Sequence, residues 1–217
     1  VFPEFLDRAG TIERAVEELT AARGEGLRTI VDVTTIDLGR DVRLLEQVSR
    51  ESGVHIICAT GTWRDIPRVF HFASPDHIAP LYIREIEEGI EGTGIRAGII
   101  KVANDRGGVT PEGEIILRAA ARAQKATGVP ISTHTWAPER VGEQQVRIFE
   151  DEGVDLNRVY VGHSNDTTDI DYLTGLLARG VWIGLDRYPG RQTSETPDWI
   201  GRTETAKKLI DAGYGER

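Results

Sequence analysis

Side chains that bind metals or attack carbonyl carbons stand near the ends of three consecutive apolar segments. Lys101 interrupts one Ile/Val-rich segment, His134 ends the next, and His163 ends the one after. A fourth segment closes on Asp186 and Arg187. An unpaired ammonium costs several kcal/mol to bury, so packing alone does not explain a lysine in such a segment. We expect these side chains to lie at one level of a common site.

Two chemistries use a lysine with two histidines. In the first, Lys101 is a metal-free Schiff-base nucleophile of a lyase, its pKa lowered by an apolar pocket, and the histidines move protons. In the second, His134 and His163 bind a divalent metal through neutral imidazole nitrogens. Lys101 would then need to be carboxylated by CO2, since a carbamate can bridge two metals about 3.5–4 Å apart and an ammonium cannot. Spacing alone leaves both chemistries open.

The segments that carry these residues alternate with amphipathic stretches of helical period along the whole chain. Strand-to-strand spacing is about 30 residues, the size of a βα unit, which predicts an α/β fold with a parallel sheet. The candidate strands span 29–34, 54–60, 97–103, 129–135, 158–163 and 181–186. The candidate helices span 11–23, 41–51, 76–90, 110–126, 139–152, 168–178 and 202–212.

The pattern opens and closes with a helix, so one more strand at each end would complete eight βα units. We therefore predict that residues 1–217 form a single catalytic domain of a (β/α)8 TIM barrel, comprising strands two to seven and seven helices. An open doubly wound sheet is the alternative, but the glycine fingerprint that often follows its first strand is absent. A six-stranded remnant would expose two strand edges and apolar surface, and could be an inactive truncated barrel.

Composition narrows the possible partners. The chain has 217 residues, 39% hydrophobic and 28% charged, with a net charge of −9 and no basic cluster. Nucleic acid and anionic membranes are therefore poor partners. No apolar run approaches the roughly 18 residues of a membrane span, and no signal peptide is visible. The single cysteine, Cys58, excludes an internal disulfide framework, and among compartments the cytoplasm is favoured.

From residue 27 to 217 the chain closely resembles the phosphotriesterase family of the amidohydrolase superfamily, and in particular its phosphotriesterase-like lactonases. The order and spacing of the shared motifs match throughout. They are Thr29-Ile30-Val31-Asp32-Val33, Leu38-Gly39-Arg40-Asp41, Ala59-Thr60-Gly61, Gly94-Ile95-Arg96-Ala97-Gly98-Ile99-Ile100-Lys101, Ser132-Thr133-His134-Thr135, Gly162-His163-Ser164-Asn165-Asp166 and Gly184-Leu185-Asp186-Arg187-Tyr188.

The resemblance implies a binuclear-metal hydrolase in which a metal-bridging hydroxide attacks the substrate. Lys101 corresponds to the carboxylated lysine that bridges the metals, and His134 and His163 to ligands of the more exposed metal. The metals would be two divalent ions, zinc first, with cobalt, manganese or iron as alternatives. The family also uses a His-x-His pair on its first strand and an aspartate on its eighth, and neither occurs in this sequence. Family members are commonly homodimers.

Three further positions bear on the substrate. Asp166 corresponds to an aspartate that passes the proton away from the site, and Trp63 to an aromatic residue on the leaving-group side. Arg187 followed by Tyr188 is the pair usual in lactonases, where dedicated phosphotriesterases usually have histidine. The resemblance therefore favours a lactonase for acyl-homoserine or related lactones, with promiscuous organophosphate triesterase activity. A dedicated phosphotriesterase is the alternative, and Arg187 or Trp63 could instead be ordinary rim residues.

Overall fold

The computed structural model describes residues 7–190 and 193–217. Their strands form one parallel sheet that follows the order of the sequence and curls into half of a barrel. Such a sheet brings the carboxyl ends of its strands together at one edge. The six strands are β1 (Thr29–Asp32), β2 (His55–Gly61), β3 (Ile99–Ala103), β4 (Ile131–His134), β5 (Val159–Val161) and β6 (Trp182–Ile183).

Seven α-helices of the described residues connect or flank these strands. Among them, none is long and apolar enough to cross a membrane. The helices are α1 (Arg8–Gly24), α2 (Val42–Ser52), α3 (Pro75–Glu87), α4 (Pro111–Thr127), α5 (Val141–Asp151), α6 (Ile170–Ala178) and α7 (Trp199–Leu209).

Local signals explain most helix boundaries. Helix α4 begins as predicted, with the Thr110 side chain accepting the Gly113 N–H at 3.0 Å, and it ends at Gly128, whose φ is +74°. Helix α3 stops earlier than the predicted residue 90, because Gly89 has a φ of +119°. Helix α7 starts three residues before the predicted 202, because the Asp198 carboxylate caps it through the Gly201 N–H at 2.8 Å.

Five of the six strands are shorter than the apolar segments that predicted them, whereas β2 keeps its length and lies one residue later. The segment 181–186 contributes only two residues to β6, after which single bonds continue the pairing: Gly184 donates to Val161 O at 2.8 Å and receives the Ser164 N–H at 2.8 Å. The residues beyond therefore leave the ladder before the segment ends. This departure frees Asp186 and Arg187 to turn toward neighbouring strand ends.

The pairing register corrects the expectation that the three candidate residues share one level. Lys101 pairs with Ser132, while His134 pairs with Ala103, so Lys101 starts one pleat deeper in the sheet than His134. A displacement of two residues keeps both side chains on the same face. The long lysine side chain then spans the difference in height.

The hydrophobic core lies between the sheet and its helices, and the outer strands are less covered. Fully buried residues include Ile100, Leu117 and Phe149. Strand β1 is covered incompletely, and its Val31 is 47% exposed. Strand β1 is an edge of the described sheet, which explains its exposure. Cys58 is buried and unpaired, in agreement with a packing role.

Candidate metal centre

Lys101 is the third residue of β3, and its side chain is buried. Its Nζ donates a hydrogen bond to the Thr133 carbonyl oxygen at 2.9 Å and lies 3.5 Å from Ser132 Oγ. Burial lowers the pKa of this amine to about 8, partly opposed by the charge of Asp186 and reinforced by that of Arg187. Only a minor fraction is then neutral near physiological pH, but that fraction is larger than for an exposed lysine, and the neutral amine is the form that reacts with CO2 or with a carbonyl group.

His134 ends β4 and is 7% exposed. Neither of its ring nitrogens has a hydrogen-bond partner in the described part of the chain. The nearest carboxylate oxygen, on Asp105, lies 3.4 Å from Nε2 outside hydrogen-bonding geometry and is held by Arg64 at 2.6 Å. Burial, with the charge of His163, lowers the pKa of His134 to about 4, so the ring is neutral at pH 7.

His163 follows β5 in the left-handed region, with a φ of +60°. A non-glycine residue in this region is uncommon, and such strain concentrates at functional sites. Its ring Nδ1 and its backbone N–H both donate to one oxygen of Asp186 at 3.0 Å. Because Nδ1 carries the proton, Nε2 presents a lone pair. The His163 and His134 ring centroids are 4.7 Å apart and edge to face.

Asp186 is the partner that fixes His163, and its side chain is 32% exposed. Burial raises the pKa of its carboxyl group, but the hydrogen bond and charge of His163, with a further hydrogen bond from Tyr160, outweigh it and leave the pKa below its usual value. Tyr160 OH donates to the second carboxylate oxygen at 3.0 Å. The sequence marks Asp186 as a polar residue at a strand end but gives it no role, since its partner lies on another strand.

Trp63 covers the two buried groups from the loop after β2. Its ring meets His134 edge to face with centroids 4.8 Å apart, and Lys101 Nζ lies 5.8 Å from the ring centroid. The backbone N–H of Trp63 donates a hydrogen bond to the Asp37 carboxylate at 3.0 Å, and this bond fixes the loop. The turn into it requires Gly61, with a φ of +110°, because a Cβ there would lie 2.0 Å from the Lys101 carbonyl oxygen.

Asp166 lies beside the cluster in a short helical turn and is 1% exposed. Its carboxylate forms ion pairs with Arg187 and with Arg202, the latter at 2.8 Å. Arg202 comes from α7, is itself buried, and also donates to the Asn165 and Pro197 carbonyl oxygens at 3.0 Å. The sequence predicts only a helix at Arg202, and its amphipathic pattern gives no sign of a buried guanidinium.

The remaining candidates lie apart. The Tyr188 side chain is largely exposed and approaches Thr203 of α7 at 3.5 Å, so it contacts α7. Residues 191 and 192 of the segment between β6 and α7 lie outside the described residues. The other three histidines make contacts of their own: His55 is exposed, His71 bonds the Ile66 carbonyl oxygen, and His77 caps α3 through Ser74.

The side chains of His134, His163 and Lys101 fit a divalent metal, provided that Lys101 is carboxylated. Within residues 7–190 and 193–217, no three His, Cys, Asp or Glu side chains form a metal-binding group. Two imidazoles do converge, however, and buried nitrogens without partners indicate a ligand at His134. Lys101 can complete the set only as a carbamate, whose oxygens bind metals as a carboxylate does.

Comparison with known proteins identifies the family. A model of the phosphotriesterase family matches residues 5–217. The chain belongs to the phosphotriesterase family. It is 40% identical over 226 residues to "Phosphotriesterase homology protein" of Mycobacterium tuberculosis, covering 100% of this chain and 68% of the relative. It is also 40% identical over 218 residues to "Aryldialkylphosphatase" of Saccharolobus solfataricus, with the same coverage.

More distant relatives of this phosphotriesterase-family chain have a different named substrate. "N-acetyltaurine hydrolase" of Dictyostelium discoideum is 31% identical over 215 residues, covering 94% of this chain and 58% of the relative. The family and relative names together indicate a hydrolase. They also show that proteins similar to this chain are named for more than one substrate.

Proposed function

We propose that this phosphotriesterase-family chain is a hydrolase that uses two divalent metal ions. Zinc is the metal we expect, and cobalt, manganese and iron are the alternatives. His134, His163 and a carboxylated Lys101 would be ligands. The observation that carries the proposal is the convergence of a buried imidazole without hydrogen-bond partners and a second imidazole whose Nε2 is free of Asp186. Bound metal would lower the pKa of water and polarise the bond to be broken.

The protein's own residues prepare the site. Carboxylation joins the nitrogen of the neutral Lys101 amine to the carbon of CO2 and releases one proton. Counted from the ammonium form, two protons leave as a cation is replaced by an anion. Asp186 holds the His163 ring in one orientation and one tautomer. Trp63 shields Lys101 and His134 from bulk water and would contact the leaving group. Asp166 would accept a proton from the reacting centre, held in place by Arg187 and Arg202.

For the substrate, we propose a lactone of the acyl-homoserine type or a related one, with phosphotriesters hydrolysed as a side reaction. The support is Arg187, placed beside Asp186 and Asp166, together with Tyr188 in the same loop. The name of the Saccharolobus relative favours a dedicated phosphotriesterase as the second candidate. The ratio of kcat/KM for an acyl-homoserine lactone to that for paraoxon separates them, and a ratio below one would favour the second.

Metal loading of the full-length protein tests the chemistry. Wild-type protein loaded with Zn²⁺ and carbon-13 bicarbonate should bind metal and show a carbamate carbon by NMR. Lys101→Met and His163→Gln should lose metal, while the control His77→Gln, changed at a helix cap, should keep it. Metal retention by Lys101→Met would contradict the proposal. Borohydride trapping of a carbonyl substrate on Lys101 would instead support the Schiff-base lyase.

We also propose that the six strands are strands two to seven of a (β/α)8 barrel that forms one catalytic domain. The sequential parallel order and the curl of the sheet support this. In the full-length protein, the β1 amides that face away from β2 should then exchange with solvent slowly, because another strand pairs with them. Fast exchange at those amides alone would contradict a closed barrel.

A further inference from the structure

A second polar pocket adjoins the candidate metal centre. Its volume is about 240 Å³, and three arginines line it, Arg106, Arg187 and Arg202, together with Trp136 and Asp166. A water molecule occupies roughly 30 Å³ of liquid, so the space suits several waters or one small oxyanion. Arg187 belongs to both sites, because it follows Asp186 in the sequence and pairs with Asp166.

The charge of this pocket contrasts with that of the whole chain. The protein carries a net charge of −9, yet three guanidinium groups face one carboxylate in the pocket lining. Arg202 and Asp166 are both buried and pair with each other. Arg187 and Arg106 keep 37% and 56% of their side-chain surface exposed. With Glu195 of the neighbouring loop counted, three guanidinium groups face two carboxylates, so the pocket keeps a net positive charge and can offer guanidinium donors to an incoming anion.

The guanidinium of Arg106 has a fixed orientation that suits a planar anion. Its guanidinium lies over the Trp136 ring, 4.3 Å from the centroid, which fixes the plane of the group. Its two terminal nitrogens donate a bidentate pair of hydrogen bonds to the carboxylate of Glu195, and Nη1 lies 2.6 Å from Oε1. Glu195 lies in the loop between β6 and α7, with a side chain 43% exposed. Exposed ion pairs contribute little stability, so another carboxylate can displace this one.

We propose that this pocket binds an oxyanion carried by the substrate, such as a carboxylate, and that Glu195 occupies Arg106 until that anion arrives. This inference rests on the proposed hydrolase function. Among the lactones related to the acyl-homoserine type, which itself carries no anion, it selects those with a negative group beside the bond that is broken. Arg187 lines this pocket and directly follows Asp186, the partner of His163, so an anion bound by Arg187 would lie beside the segment that positions that histidine. A purely apolar chain would displace water from the two exposed guanidinium groups, those of Arg106 and Arg187, without replacing its hydrogen bonds.

The two partners of the Arg106–Glu195 pair should have opposite effects. Arg106→Gln removes the guanidinium that binds the anion through two hydrogen bonds. Glu195→Gln removes the carboxylate that competes with the anion for Arg106. Arg106→Lys keeps the charge but loses the fork, so it should be intermediate. The matched controls are Arg179→Gln and Glu150→Gln, which break a similar forked and partly exposed pair between α6 and α5.

The experiment compares one γ-lactone that bears a carboxylate with the same lactone as its neutral methyl ester, using full-length metal-loaded enzyme. We expect wild type to prefer the carboxylate in kcat/KM by about tenfold, the effect of one charge-assisted contact. Arg106→Gln should abolish this preference and Glu195→Gln should increase it, with the controls unchanged. Sulfate should inhibit turnover of the carboxylate lactone and leave that of the ester unaffected.

Equal kcat/KM for the two lactones in wild type would overturn the pocket while leaving the hydrolase function intact. Inhibition of both lactones by sulfate would also overturn it, since the anion would then act elsewhere. If neither lactone is hydrolysed, calorimetric binding of sulfate decides the matter separately. Weaker binding in Arg106→Gln with tighter binding in Glu195→Gln would support the pocket, and equal binding in both would overturn it.

Discussion

A single carboxylate oxygen of Asp186 accepts two hydrogen bonds from His163, one from the ring Nδ1 and one from the backbone N–H, both at 3.0 Å. The same oxygen therefore fixes the ring and stabilises a backbone in the left-handed region, with its φ of +60°. Orientation of the ring and strain of the backbone are thus coupled through one group on the neighbouring strand.

Removal of this carboxylate should weaken metal binding. Asp186→Asn keeps the size of the side chain but loses the charge that fixes His163, and such supporting residues typically change metal affinity roughly 10–100-fold. The measurement is zinc affinity by competition with a chelator. Tyr160→Phe is the control, because it removes only the bond to the other oxygen at 3.0 Å. Equal affinity loss in both variants would show that the contact with His163 is not the cause.

Gly61 should not tolerate a methyl group. A Cβ at this position would lie 2.0 Å from the Lys101 carbonyl oxygen, and the φ of +110° disfavours any other residue. We expect Gly61→Ala to lower the free energy of unfolding by about 2–4 kcal/mol, measured by urea denaturation. Gly175→Ala in α6, where a Cβ has no heavy atom within 4 Å, should stabilise the protein slightly. Similar losses in both variants would contradict this explanation.

The buried ion pair between Arg40 and Glu85 should stabilise the end of β2. Arg40 binds both carboxylate oxygens, at 2.9 and 2.7 Å, and Thr60 donates to one of them at 2.7 Å. Glu85→Ala leaves a buried guanidinium without its partner, which should cost about 3–5 kcal/mol of unfolding free energy. Replacing both residues by apolar ones, Arg40→Met with Glu85→Leu, should restore most of it. An equally unstable double variant would refute this account.

Glu152 should make stability depend on pH. The hydrogen bond from Arg122, opposed by burial and helped by Arg118, lowers the pKa of its carboxyl group. A lowered folded-state pKa gives stability that is present above the unfolded value and lost as the pH falls through the folded value. Glu152→Gln should therefore lose about 1 kcal/mol at neutral pH and match wild type in acid, by urea denaturation.

A double-mutant cycle with Arg122→Gln provides the control for this pair. The coupling between residues 152 and 122 should be measurable at neutral pH and vanish in acid, when Glu152 is protonated. A coupling that persists unchanged in acid would mean that packing, and not charge, holds α5 against α4.

The sequence predicted the order of strands and helices because the repeat of apolar segments and caps is a local signal. It placed Lys101, His134 and His163 in one site, and the family resemblance added Trp63. The structure brings these four side chains together, and their chemical roles remain predictions. It could not predict that Lys101 lies two residues deeper in the sheet than His134, because this difference depends on the stagger between neighbouring strands.

Residues whose partners lie on distant elements were also missed. The guanidinium of Arg202 is buried in the structure, yet α7 looks like an ordinary surface helix in the sequence. Arg106 and Glu195 are separated by most of three βα units, and only the curl of the sheet brings them together. Contacts of this kind depend on the tertiary structure, so no local sequence pattern predicts them.

The unbroken sequential order of the sheet also has a kinetic consequence. Among the described residues, every strand pairs only with the strand one βα unit before or after it, so each new pairing closes a loop of one unit. Such a closure costs less entropy than pairing two strands that are far apart in the chain, although parallel pairing remains slower than the formation of local helical contacts. A chain of this kind can add its units one after another as it leaves the ribosome, each docking on a template that the previous unit has completed.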